Sequence, residues 1–162
     1  EIAGISWPNT AQKWVFIDSS KHGSKEESRS RSLRNIKEAS LVMTILINED
    51  KGNFDFRNIG VITPYNAQKN LIKLEVLKVF GSEKGKDLDV DTVDGYQGME
   101  KELVIISLVR ANNTGSIGFV SDYRRLNVSL TRAKKGLIVI GNVNTLENDD
   151  VYRSLINHAK NS

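Results

Sequence analysis

The sequence predicts an α/β domain, a mostly parallel sheet with helices on both faces, on three observations. Short β-branched runs alternate with amphipathic stretches, the order that gives parallel strands joined by crossover helices. Leu103–Val109 is almost continuously apolar, which suits a strand covered on both faces. A length of 162 residues is enough for one domain with a real core and too little for two.

Trp14–Ile17 reads as the first strand. The polar stretch from Asp18 to Ser32 has little to bury and reads as a mobile loop. From Leu33 onward, Ile36, Ala39, Met43 and Ile47 recur at helical spacing, with Ser32 as N-cap and Gly52 past the end. Ile59–Thr63 is a buried strand, after which Pro64 breaks the extended run and opens a helix carrying Leu71, Leu74, Leu77 and Phe80. A polar loop over Gly81–Asp87 leads to an extended segment at Val90–Val93 and then to the Leu103–Val109 strand. A short helix over Asp122–Arg132 precedes a strand at Leu137–Ile140. The closing stretch lines up Val151, Leu155, Ile156 and Ala159 on one face. In such sheets ligands gather at the carboxyl ends of the strands.

Lys and Arg total 23 against 20 Asp and Glu, so a net charge of +3 is spread over a chain that is 27% charged. Phosphate binding therefore has to come from local clustering rather than overall charge. The absence of cysteine excludes disulfide scaffolds, cysteine nucleophiles, iron–sulfur clusters and cysteine zinc sites. It points to a reducing, intracellular compartment, with nucleus and cytoplasm both open. The longest apolar run is far below the ~20 residues that span a bilayer, and no basic-then-apolar leader opens the chain, so neither secretion nor a membrane partner is expected. Glycosylation triplets at Asn112 and Asn127 are discounted as chance. His22 and His158, the two histidines, are too far apart in sequence to suggest a metal site.

Gly81-Ser-Glu-Lys-Gly-Lys86 is not a phosphate loop. Three residues rather than four separate its glycines, and Asp87 stands where a Mg²⁺-binding Ser or Thr is needed. The informative stretch starts at Asp91-Thr-Val-Asp-Gly-Tyr-Gln-Gly-Met-Glu-Lys-Glu102, polar side chains and two glycines between strands, where a loop meets the ligand-binding edge. Gly95 and Gly98 allow a tight turn and close approach to a ligand. A hairpin-like connection with surface polar residues fits the composition equally well. In Asp122–Lys135, helical geometry would put Arg125, Ser129 and Arg132 along one side. Such a row is either a solvated face or, because forked guanidiniums match phosphate oxygens, an anion site.

Val61-Ile-Thr-Pro-Tyr65, Val93-Asp-Gly-Tyr-Gln-Gly-Met-Glu100 and Arg124-Arg-Leu-Asn-Val-Ser-Leu-Thr-Arg-Ala133 resemble, in order and spacing, motifs IV, V and VI of superfamily 1 helicases. The Val109–Asn112 segment, the Gly118-Phe119 pair and the Ser32-x-x-Asn35-x-x-Glu38-Ala39 pattern resemble the branch containing the nonsense-mediated-decay helicase and senataxin. The resemblance implies a RecA-like three-layer sandwich, the second motor domain of an ATP-dependent 5′-to-3′ helicase acting on single-stranded RNA or DNA. ATP with Mg²⁺ would then be shared with a first RecA-like domain carrying the phosphate loop and the acidic Mg²⁺-holding motif.

On that resemblance Arg132 is the arginine finger at the γ-phosphate and Glu100 lies near the ribose. Gln97 and Gly98 belong to the same loop, and Arg125 either orients that loop or helps the phosphate site. Thr63, Pro64, Tyr65 and Thr92 become contacts to the nucleic-acid backbone at the opposite edge from ATP, with a core-packing role also open for Tyr65. Gly23 and either Glu26 or Glu27 occupy a Gly-x-Glu-like position whose spacing is one residue too long. The helicase part of a replication nuclease-helicase, and a noncatalytic RecA-like binding module, are the alternatives. In the main reading the isolated 162 residues hydrolyse no ATP above background. Turnover that tracks this chain through purification would contradict that expectation.

Overall fold

A computed structural model describes residues 13–160. The strands are β1 (Lys13–Asp18), β2 (Glu27–Arg29), β3 (Ser32–Arg34), β4 (Ile59–Ile62), β5 (Asp89–Asp91), β6 (Lys101–Ser107) and β7 (Ala133–Gly141). The helices are α1 (Ile36–Lys51), α2 (Asn66–Gly85), α3 (Tyr123–Leu130), α4 (Val143–Leu146) and α5 (Asp150–Lys160). Five strands form one all-parallel sheet in the order β1-β7-β6-β4-β5, and β2 and β3 pair separately as an antiparallel hairpin.

Alternation along the central strands sorts the core into two layers. Val104 and Ile106 of β6, with Leu137 and Val139 of β7, face Leu126 and Leu130 of α3 and Leu155 and Ile156 of α5. Leu103 and Ile105, with Ile140, face Val42 and Leu46 of α1 and Ile72 and Val76 of α2. Both faces of the sheet are thus covered, which is the three-layer sandwich expected from the apolar β6 run.

Several boundaries differ from the sequence reading. Asn35 rather than Ser32 caps α1, and its side chain accepts the Glu38 N–H at 3.1 Å. Ser32 instead begins β3, and its hydroxyl accepts the Ala67 N–H at 3.1 Å, capping the first turn of α2. The stretch read as a mobile loop contains a 3-10 turn at Ser19–His22 and the β2–β3 hairpin. Pro64 precedes α2 by two residues instead of opening it, and Tyr65 occupies the N-cap. Helical turns continue into the expected 81–87 loop after a break at Gly81, whose φ of 80° leaves the helical region. Strand β6 ends two residues early, and β7 starts four residues before Leu137.

A buried polar network fastens these layers where β1, β6 and β7 end. The Glu38 carboxyl is fully buried and accepts from Ser19 Oγ at 2.8 Å, Ser107 Oγ at 2.8 Å and the Val109 N–H at 2.9 Å. Asn35 Nδ2 donates to the Val109 carbonyl at 2.9 Å, and Gln68 of α2 donates to both the Asn35 carbonyl and Ser107 Oγ. Donors from the segment after β1 and from the end of β6 thereby converge on one carboxyl group of α1.

Burial pushes the Glu38 carboxyl up from 4.5 to about 7, against the hydrogen bonds from Val109, Ser19 and Ser107. A raised carboxyl favours the folded state most when it is neutral. Its contribution is complete below 4.5 and is lost as pH rises through about 7. Stability of the wild type should therefore fall by up to about 3 kcal/mol between mildly acidic and mildly alkaline pH relative to Glu38→Gln. Urea melts of both proteins across that range measure the difference; parallel curves would contradict it.

Candidate functional site

The segment after β5 starts at the carboxyl edge of the sheet and finishes at the amino edge, because β6 is parallel to β5 and begins at Lys101. Its first half is a 3-10 turn, Val93–Tyr96, anchored by two buried side chains. Tyr96 lies over Gly60, where an added Cβ would come within 2.7 Å of its hydroxyl, and that hydroxyl donates to the Asp89 carbonyl. The two loop glycines serve different needs. At Gly95 a Cβ would fall 2.1 Å from the Asp91 carboxylate, whereas Gly98 has open space but a φ of 78°.

Gln97, Gly98 and Glu100 are exposed on the second half of this connection. Arg132 lies beside them. It sits beyond the end of α3, whose C-cap is Thr131, so it does not share a helix face with Arg125 and Ser129 as the periodicity suggested. Its Nε donates to the Val128 carbonyl at 3.1 Å, Nη1 to the Met99 carbonyl at 3.2 Å and Nη2 to Thr131 Oγ1 at 3.2 Å, while its own carbonyl accepts from Lys101 N–H. These bonds use one N–H on each terminal nitrogen. Each terminal nitrogen carries a second N–H beyond these bonds.

Arg125 is placed differently. It pairs with Asp94 through Nε at 3.3 Å and Nη2 at 3.2 Å, and reaches Asp122 at 3.5 Å. These contacts tie α3 to the Val93–Tyr96 turn and occupy the guanidinium with carboxylates. Arg125 lines a cleft of about 340 Å³ together with Pro64, Thr92 and Asp94. The structure thus brings Gln97, Gly98, Glu100 and Arg132 together at the amino edge and groups Arg125 with Pro64 and Thr92 toward the carboxyl edge.

Thr63 and Tyr65 flank Pro64 but are buried. The Thr63 hydroxyl is the one buried side-chain polar atom without a hydrogen-bond partner among the described residues. Tyr65 packs in the α3–α5 layer, where burial pushes its hydroxyl pKa up, and the hydroxyl accepts from Arg110 Nη1 at 3.3 Å.

Position also separates Glu26 from Glu27. Glu27 pairs with Arg34 on the exposed hairpin. Glu26 Oε1 accepts from Arg110 Nε at 3.0 Å, from the Ala111 N–H at 2.9 Å and from Asn112 Nδ2 at 2.9 Å. Burial raises this carboxyl, but the bonds from Asn112, Arg110 and Ala111 outweigh that and hold it below the ordinary range. Sequence reasoning quoted Asn35, Glu38 and Val109–Asn112 as patterns without giving them work. The signal was the three-residue spacing of Asn35 and Glu38, an N-cap pair whose acid turns into the core instead of back to the cap.

His158 Nδ1 accepts from the Trp14 indole at 3.0 Å, a structural role. Among the described residues no three His, Asp or Glu side chains are grouped to hold a metal, and no helix is long and apolar enough to cross a membrane.

A family model described as an AAA domain matches residues 3–144. The chain belongs to that family. This AAA domain is 44% identical over 158 residues to "Probable helicase senataxin" of Homo sapiens, 36% over 152 residues to "Helicase SEN1" of Saccharomyces cerevisiae, and 40% over 158 residues to "Regulator of nonsense transcripts 1" of Dictyostelium discoideum. Those alignments cover 95%, 91% and 96% of the chain but only 6%, 7% and 12% of the relatives. The C-terminal domain of a possible DNA helicase from Lactobacillus plantarum shares the fold, with a TM-score of 0.52 at 12% identity over 89% of this chain and 84% of that one. The senataxin-like resemblance and the RecA-like sandwich of the sequence reading both stand.

Removing the Glu26 acceptor strands three donors of the AAA domain around residues 110–112. Glu26→Ala should lower stability by about 2 kcal/mol, since bonds to a charged group carry about that much each and solvent recovers part. As a depressed carboxyl, Glu26 stabilises above its ordinary value of 4.5 and loses that contribution as pH falls below it. Denaturant midpoints of both proteins at neutral and acid pH measure this; the gap between them should narrow in acid.

Proposed function

We propose that this chain is the second motor domain of an ATP-dependent helicase, completing an ATP site with a first RecA-like domain and gripping single-stranded RNA or DNA. The observation that carries the reading is Arg132. It is partly buried at the amino edge, has no carboxylate partner among the described residues, and keeps one unused N–H on each terminal nitrogen. A cation held this way by carbonyl groups is built for an anion brought from outside the domain.

ATP with Mg²⁺ fits that edge. Arg132 would hold the phosphate end and Glu100 the ribose end, with Gln97 and Gly98 in the same loop, while Mg²⁺ belongs to the first domain. When bound, the nucleotide supplies the phosphoryl group whose transfer to water drives the motor. The contribution of this chain is positional and electrostatic. Three hydrogen bonds fix the Arg132 fork before any ligand arrives, so little ordering remains to be done when charge develops.

At the other edge, Pro64 and Thr92 form the proposed backbone contacts for the single strand, the burial of Tyr65 suits its core-packing role, and the Thr63 hydroxyl is a buried donor without a partner among the described residues. Contacts to phosphate and sugar grip any sequence, as translocation requires. A motor on nucleic acid with a cysteine-free composition belongs inside the cell. The pairing of Arg125 with Asp94 and Asp122 suits it to positioning the loop rather than to binding phosphate.

In the full-length protein, Arg132→Ala should lower ATP turnover by roughly 10³ to 10⁵ while single-strand affinity is kept. Arg132→Lys should recover little, because an ammonium cannot reproduce the fork. Since Arg132 also bonds Val128 and Met99, thermal melts must accompany the kinetics. A folded Arg132→Ala protein that hydrolyses ATP within a few-fold of wild type would remove the assignment.

A further inference from the structure

The β2–β3 hairpin serves neither edge site described above. Arg29 pairs with Ser32 across it, leaving Ser30 and Arg31 as a two-residue turn with φ of 50° and 63°. Two successive positive φ values are the mark of a type I′ turn, and glycine or asparagine is its usual occupant. Here serine and arginine occupy it, and residues 27–31 are all exposed. Both carboxylates of the hairpin region are already engaged, Glu27 with Arg34 and Glu26 with Arg110. Arg29 and Arg31 therefore project with no ion-pair partner among the described residues.

The hairpin leans on α2 through the bond from the Ala67 N–H to Ser32 Oγ. Between them runs a groove of about 310 Å³ whose lining includes Arg29, Arg34, Asn66 and Asn70. Asn66 also lines the cleft that holds Pro64 and Thr92. Asn66 is thus common to both concavities, one of which holds Pro64 and Thr92 and the other Arg29.

We propose that the hairpin is a phosphate clamp, in which Arg29 and Arg31 extend the single-strand track from Pro64 and Thr92 across Asn66. The partner is the sugar-phosphate backbone of single-stranded RNA or DNA, so the inference rests on the nucleic-acid reading above. Uncompensated guanidiniums beside amide side chains match phosphate oxygens in charge and geometry and carry no base information. Continuity with the Pro64–Thr92 cleft favours nucleic acid over an acidic protein segment.

The test uses the full-length protein and a labelled, mixed-sequence single strand titrated at 50 to 200 mM salt. Each lost phosphate contact lowers the slope of log affinity against log salt by about 0.7 on a single strand. Arg29→Ala/Arg31→Ala should therefore be shallower by about 1.4, so that over this range wild-type affinity falls about sevenfold more than that of the variant. Arg29→Lys/Arg31→Lys should restore the slope. ATPase without nucleic acid and thermal melting should match wild type in both variants. An unchanged slope in the alanine variant, with wild type binding normally, overturns the clamp and leaves the motor reading standing. Loss of affinity for polyglutamate with the single-strand slope intact would assign the arginines to an acidic protein and overturn it as well. A wild type that binds no single strand would remove the nucleic-acid reading and the clamp together.

Discussion

Burial of the Glu38 carboxyl is the constraint on which the rest of the domain depends. A carboxyl removed from water must be neutralised or surrounded by donors, and here the donors come from Ser19 after β1, Ser107 at the end of β6 and Val109 beyond it. Satisfying one group therefore fixes where β1 and β6 end relative to α1. Val109 shows how strongly: a β-branched residue at φ 74° is strained, and it stays there because its N–H is held by Glu38 and its carbonyl by Asn35. That kink turns the chain out of β6 and delivers Arg110, Ala111 and Asn112 to Glu26.

The sheet then separates two chemistries by length alone. The connection from Thr92 to Lys101 and, after β6, α3 both run from the carboxyl edge to the amino edge, so each has one end at either edge. Arg125 near one end of α3 is held by carboxylates, whereas Arg132 past the other end is held by carbonyls. Two arginines of one short motif consequently have opposite electrostatic status, one compensated and one available to an incoming anion.

The parallel sheet, its two covered faces and the order of elements were legible because apolar periodicity is a local signal. What periodicity could not reveal was how polar residues are spent. Ser32 looks like an N-cap and does cap a helix, but that helix is α2, thirty-five positions along the chain. Arg132 continues the spacing of Arg125 and Ser129, yet Thr131 closes the helix before it. The Asp18–Ser32 stretch looked empty because its order comes from Ser19, Ser24 and Glu26 bonding to partners remote in sequence. At the candidate site, Gly95 and Gly98 were recognisable as necessary, but crowding at one and left-handed backbone at the other could be separated only in three dimensions. The burial of Thr63 and Tyr65 likewise depends on neighbours that no local pattern specifies.

The place of β1 in the sheet has a consequence for how the chain is made. Among the described strands it pairs only with β7, Lys13 opposite Gly136 and Asp18 opposite Gly141, more than a hundred residues further along. During synthesis Val15, Phe16 and Ile17 are made well before their partner strand β7, while β4, α2, β5 and β6 can assemble among themselves. Closure of the β1 edge, and with it the seating of Ser19 against Glu38, is a late event dominated by a long loop closure. The domain thus keeps β1 unpaired with its partner until β7 is made, an exposed strand edge of the kind that favours aggregation.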